Sequence, residues 1–155
     1  MLQLRKQENA DMKKVNLISA LAMTLIASAS TQLSAGELCI EIDGIKDLKG
    51  TIRTVIVDSK DGFDGGASPV GAFVLPAHST TMGVCVNGLN EGEYALRIMH
   101  DVDGDEELDT NLLGMPSEPW GTSNNAKGSF GPPKWEDARF ELGASSLTQN
   151  IQLNH

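Results

Sequence analysis

From His100 to Asn111 the chain reads HDVDGDEELDTN, with six carboxylates inside residues 101–109. Asp101, Asp103, Asp105 and Asp109 stand at positions 1, 3, 5 and 9 of a DxDxDxxxD pattern. Alternate spacing in a curled loop aims carboxylates at one centre, and hard oxygen donors suit Ca²⁺. Glu107, at position 7, offers its backbone carbonyl, and Leu108 is placed to anchor the loop to the core. The first nine positions of an EF-hand loop have this layout. Two residues depart from it: Glu106 occupies position 6, where the sharp turn takes Gly, and Leu112 occupies position 12, where a bidentate Glu belongs. An additional residue such as Asn111 or Glu118 would complete the shell. His100 could support it from behind by donating a ring N–H to a loop carboxylate.

Repulsion sets the alternatives. Two carboxylates about 6 Å apart repel by roughly 0.7 kcal/mol in water and about 3 kcal/mol at an effective dielectric near 20. Six curled together without a counter-ion would cost several kcal/mol, comparable with a domain's whole stability. The loop is therefore either an extended, hydrated acidic turn or a compact one filled by a cation.

The acidic run opens a long segment, 100–135, that sustains neither a strand nor a helix period. Gly, Asn and Pro dominate its later part, which is turn chemistry. Three of the seven aromatics (Trp120, Phe130 and Trp135) lie in it. Large apolar side chains among turns favour an ordered, Ω-like excursion folded back on the sheet. Trp120 and Trp135 then serve as buried anchors or, with Asn124 and Asn125, as contacts for a sugar or peptide.

Around this segment, short β-rich runs recur at 37–42, 51–57, 70–75, 81–86, 93–100, 138–142 and 147–153. Most are separated by Gly, Asn, Asp or Pro. No stretch after residue 36 holds a 3.6-residue apolar period for three turns. About seven short strands with low helix content predict an all-β fold, a single antiparallel β-sandwich carrying one long loop. Leu96, Ile98 and His100 share a parity, which points His100 inward where the acidic loop begins. Cys39 and Cys85 each lie on the parity opposite the apolar residues of their strand. They suit a cross-strand disulfide on a solvent-facing side if those strands are neighbours.

Residues 1–35 read as an address: Met12-Lys13-Lys14 is a positive n-region, 15–29 is apolar, and small residues follow. Met12 is the expected true start. The domain proper is 36–155, exported to the periplasm or secreted, with no transmembrane span in the mature protein. The 35 leading residues hold four basic and two acidic side chains, leaving 8 against 19 and a net charge of −11. Such a surface repels nucleic acid and anionic lipid. There is no GxSxG, no HExxH and no phosphate-binding glycine loop, and His78, His100 and His155 are scattered.

Several motifs together resemble a family of small exported bacterial proteins, domain of unknown function 2141. They are the run His100-Asp101-x-Asp103-Gly104-Asp105 through Leu108-Asp109-Thr110-Asn111, then Gly114-x-Pro116-x-Glu118, Gly121-x-Ser123-Asn124-Asn125 and Phe130-Gly131-Pro132-Pro133. The Gly-x-Tyr turn ending at Tyr94 fits as well. The likeness covers about 38–153. The family more often carries Asn at the second and third loop positions and Gly where Glu106 stands. The resemblance implies a prealbumin-like or carboxypeptidase-regulatory-like sandwich and supplies no activity. Three functions follow as expectations. The first is a non-catalytic cation-binding protein, with calcium ordering a loop that faces a protein or carbohydrate of the cell envelope. The second is an extracytoplasmic hydrolase using Asp101, Asp109, Glu118 and His100. The third is an envelope interaction module that docks through Trp120 and the Gly-Pro loop.

Overall fold

Alternation of apolar side chains carries directly into the strands. The computed structural model describes residues 35–112, 114–129 and 131–155. The expected signal peptide, its Met12 start and the placement of Phe130 lie outside the described residues. In chain order the elements are β1 (Ala35–Asp43), β2 (Thr51–Val57), a helical turn α1 (Lys60–Phe63), β3 (Gly71–Pro76), β4 (Thr81–Asn90) and β5 (Gly92–Asp101). Then come β6 (Trp120–Thr122), a tight turn (Ser123–Asn125), α2 (Trp135–Ala138), β7 (Phe140–Leu142) and β8 (Leu147–Gln152).

Two sheets result, ordered β4-β1-β8 and β3-β2-β5-β6, with β7 pairing another part of β5. Their inner faces share one core. Leu38, Ile40 and Ile42 of β1 meet Ile52 and Ile56 of β2, Tyr94, Leu96 and Ile98 of β5, and Ile151 of β8. Eight strands replace the expected seven or so, because β6 lies inside the long loop. The sandwich is also not wholly antiparallel. β8 runs parallel to β1, with Leu38 opposite Leu147 and Asp43 opposite Gln152. Parallel neighbours require a long crossover, and here nearly the entire domain intervenes. The expected strand at 138–142 starts only at Phe140, since Trp135–Ala138 is helical.

Cys39 sits opposite Cys85 in the β1–β4 register, and the two form a disulfide. Their side is the one facing solvent, as parity predicts: Cys39 is half-buried and Cys85 exposed. A cross-link of this kind typically stabilises a fold by about 2–4 kcal/mol.

The break between β7 and β6 along β5 fixes the later half of the long segment. β7 pairs with Gly92–Tyr94 of β5 and β6 with Arg97–Met99. Between them the amide of Leu96 donates to Ser123 Oγ at 2.9 Å, and that hydroxyl donates onward to the Ala138 carbonyl at 2.6 Å. A buried backbone N–H needs such a partner, and a serine supplies it where no strand does. Asn124 and Asn125 both take positive φ, 57° and 53°. Their side chains hold neighbouring backbone: Asn124 Nδ2 donates to the carbonyls of Asp137, Ala138 and Arg139, and Asn125 joins Asn150 and Gln152. Trp120 exchanges backbone hydrogen bonds with Asn154. These contacts stitch β6 to β8 and close one side of the sandwich.

Candidate metal site

The acidic loop leaves the sheet at Asp101, the last residue of β5. Two neighbours position this carboxylate. Arg53, on β2, donates from Nε to Asp101 Oδ2 at 2.8 Å, and the Gly104 amide donates to Oδ1 at 2.7 Å. Asp101 is only 1 % exposed. Burial alone would raise its pKa, but the guanidinium hydrogen bond, the Gly104 N–H and the charge of Arg53 outweigh that effect. The carboxyl group lies below its ordinary value. Gly50 packs directly under this corner. Its φ is +67° and a Cβ there would strike the Asp101–Val102 backbone, so only glycine fits.

Beyond Asp101 the chain curls by side-chain-to-backbone hydrogen bonds two residues apart. The Asp105 amide donates to Asp103 Oδ1 at 3.2 Å, and the Glu107 amide to Asp105 Oδ1 at 2.8 Å. These Asx turns are local alternatives to a strand ladder. They bring oxygens of Asp101, Asp103 and Asp105 within 4.8 Å of one another, close enough to share one cation. Asp103 and Asp105 are exposed; Asp101 is the buried member.

Glu106 stands where a loop of this kind takes Gly, and the backbone nonetheless turns left-handed there, with φ 72°. That conformation costs a non-glycine residue roughly 1–2 kcal/mol. A compensating ion pair is present, for Arg53 also reaches Glu106 Oε1 at 2.6 Å. Hydrogen bonds to Asp101 and Glu106 raise the Arg53 pKa against the opposing effect of desolvation. Arg53 is thus a built-in counter-ion for two of the six loop carboxylates. Its sequence distance from the loop, 48 residues to Asp101, hid it from sequence reasoning. The one available signal was an arginine inside an otherwise uncharged β-rich run.

The carboxylates of Glu107, Asp109 and Glu118 do not join the Asp101–Asp103–Asp105 group. Glu107 and Asp109 have exposed side chains, and the Asp109 carbonyl accepts from Ser117. Asn111 shapes the loop tip, with its amide donating to the Met115 carbonyl at 2.8 Å and its Oδ1 accepting from Met115 at 3.2 Å. Leu108 is 36 % exposed and does not anchor the loop as its position suggests. Glu118 performs that task. It is 8 % exposed, and its Oε1 accepts from the Val102 amide at 2.8 Å, tying the two ends of the acidic loop together. Among the described residues its Oε2 finds no hydrogen-bond partner.

His100 points inward as expected and is fully buried. It does not support a loop carboxylate, however. Its Nε2–H donates to the Lys49 carbonyl at 2.8 Å, an acceptor that fixes the tautomer, because the strand register sets His100 against the β1–β2 connection. The aromatic and amide candidates are placed as follows. Trp120 is half-buried on β6. Trp135 is 7 % exposed and lies edge-on to Phe63, with ring centroids 6.1 Å apart, so its ring is a packed anchor and not an open platform. Asn124 and Asn125, both exposed, use their side chains in the backbone clamps described above.

The fold and this corner together define a small disulfide-linked β-sandwich with an acidic loop rising from the end of a central strand. A family described as "Uncharacterized protein conserved in bacteria (DUF2141)" matches residues 40–150, and the chain belongs to it. No curated protein and no solved structure matches the chain. The disulfide is consistent with an exported protein, since such bonds persist in oxidising compartments. Among the described residues, no helix is long and apolar enough to cross a membrane.

Proposed function

We propose that this protein is an exported, non-catalytic β-sandwich of the prealbumin-like or carboxypeptidase-regulatory-like kind. Its loop binds a divalent cation, calcium by donor chemistry, and presents residues 102–117 to a protein or carbohydrate of the cell envelope. The observation that carries this reading is the approach of Asp101, Asp103 and Asp105 oxygens to within 4.8 Å. All are hard oxygens at alternate positions, as Ca²⁺ prefers. Arg53 relieves part of the repulsion among the loop carboxylates. With Asp101 and Glu106 already neutralised in part, the loop does not need the ion in order to curl. Binding is then weak and adjusts a preformed site, with Kd on the order of 10⁻⁴ to 10⁻³ M. A non-catalytic role is supported by His100, whose Nε2 is engaged by a backbone carbonyl and not by a carboxylate.

Calorimetric titration of the purified protein with Ca²⁺, Mg²⁺ and Mn²⁺ tests the reading, alongside thermal unfolding in Ca²⁺ or EDTA. For Kd near 1 mM, 10 mM Ca²⁺ would stabilise the fold by about 1.4 kcal/mol. Absence of both heat and a shift in the midpoint with all three ions would overturn it.

A further inference from the structure

Among the described residues, the side of the sandwich opposite the β6–β8 stitches lacks a comparable closure. Its edges are β3 and β4. Phe73 and Leu75 of β3, and Val84, Val86 and Leu89 of β4, pack on the core but remain only partly buried, whereas Leu38, Ile40, Ile52, Ile56 and Leu96 are fully covered. The outer face of β3 is apolar too: Ala72, Val74 and Pro76 are exposed, with Val74 at 49 % and neighbouring Val70 at 46 %. The sequence sets this side apart. From Gly65 to Asn90 there is no Asp, Glu, Lys or Arg, in a chain of which 21 % is charged. Soluble proteins usually blunt an edge strand with charge, proline, a bulge or a covering segment. Among the described residues β3 has only Pro76, at its last position.

We infer that this edge is a homodimer interface, with β3 pairing antiparallel to β3 of a second copy about a two-fold axis. Alternate residues of an edge strand turn N–H and C=O outward, and a strand meeting its own copy antiparallel is self-complementary by symmetry. Charge selects both the place and the partner. Two copies, each carrying −11 over residues 36–155, repel across most of their surfaces and can approach only where neither is charged. A basic partner would be drawn to the acidic faces instead. Pairing continues each five-stranded sheet into the other and covers Val70, Val74 and the half-buried Phe73 and Leu75.

Sedimentation equilibrium of the purified protein across a wide concentration range tests this. A dimer is expected, and its dissociation constant should fall as NaCl rises, because salt screens the repulsion between two anionic copies. Val74→Lys sets like charges against each other near the axis at a solvent-facing position, so it should weaken the dimer at least tenfold with an unchanged circular-dichroism spectrum. Ser145→Lys adds the same charge at an exposed site outside either edge and should leave the dimer intact. A monomer at every concentration and salt, a dimer that survives Val74→Lys, or one that salt dissociates would each overturn the inference.

Discussion

Residues 102–117 and 118–138 adjoin in the chain and share a turn-rich composition, yet they fold by opposite strategies. The first stretch bonds mainly to itself and to the strand end it leaves: Asp105 to Asp103, Glu107 to Asp105, Ser117 to Asp109, and Gly104 to Asp101. Its ties to the sandwich run through Arg53 and Glu118 at its base. The second stretch reaches outward, through Ser123 to Leu96 and Ala138, and through Asn125 to Asn150 and Gln152. Where turn residues send their hydrogen bonds decides whether a segment becomes an appendage or a clamp. Here the appendage carries the charge and the clamp carries the aromatic ring Trp135.

The largest test of that division is Trp135→Ala. Trp135 packs with Val57, Phe63, Ala95, Ala126 and Ala138 in a second small core outside the main one. Truncating a buried aromatic of this kind costs about 3–5 kcal/mol. Urea unfolding should show that loss as a lower midpoint with an unchanged slope. A cost within the range of surface substitutions would mean that 118–138 is no clamp.

An intermediate effect is expected at the base of the first stretch, Asp101, where β5 ends. Its folded pKa lies below the ordinary carboxylate value, so its contribution to stability is fully present above about pH 4 and declines as pH falls through the folded pKa. Asp101→Asn should therefore be less stable than the parent at neutral pH, and the gap should narrow as the solution is acidified below about pH 4. A gap that stays constant down to acid unfolding would assign the loss to something other than the ionised carboxylate beside Arg53.

Much of this architecture was legible because period-2 alternation is local. Leu38, Ile40 and Ile42 announce β1 without help from the rest of the chain, and the opposite parity of Cys39 and Cys85 placed their disulfide on the outer side. What escaped was non-local or short. Trp120–Thr122 is too brief to show a period, and it is a strand only because Arg97–Met99 lies beside it. The parallel β1–β8 pairing depends on the order of strands in space, which alternation does not encode. At the candidate site the alternating aspartates were readable, but Arg53 was not. Its role depends on β2 pairing β5 in the register that sets Arg53 opposite Met99, two residues short of Asp101.

The smallest expected effect on stability is also the most discriminating. Asp103 and Asp105 are exposed, and each uses one side-chain oxygen to accept a backbone N–H. Asn keeps that acceptor and removes the charge, so Asp103→Asn with Asp105→Asn should preserve both Asx turns. Without added metal, the double variant should unfold within about 0.5 kcal/mol of the parent, and any change should be stabilising, because like charges 101–109 repel less. Its response to Ca²⁺ should vanish. If the pair instead costs as much as Trp135→Ala, the carboxylates hold the fold and the appendage is a second clamp. If the variant keeps the parent's calcium response, the ion binds elsewhere and the convergence of the three aspartates is only a way to turn the chain.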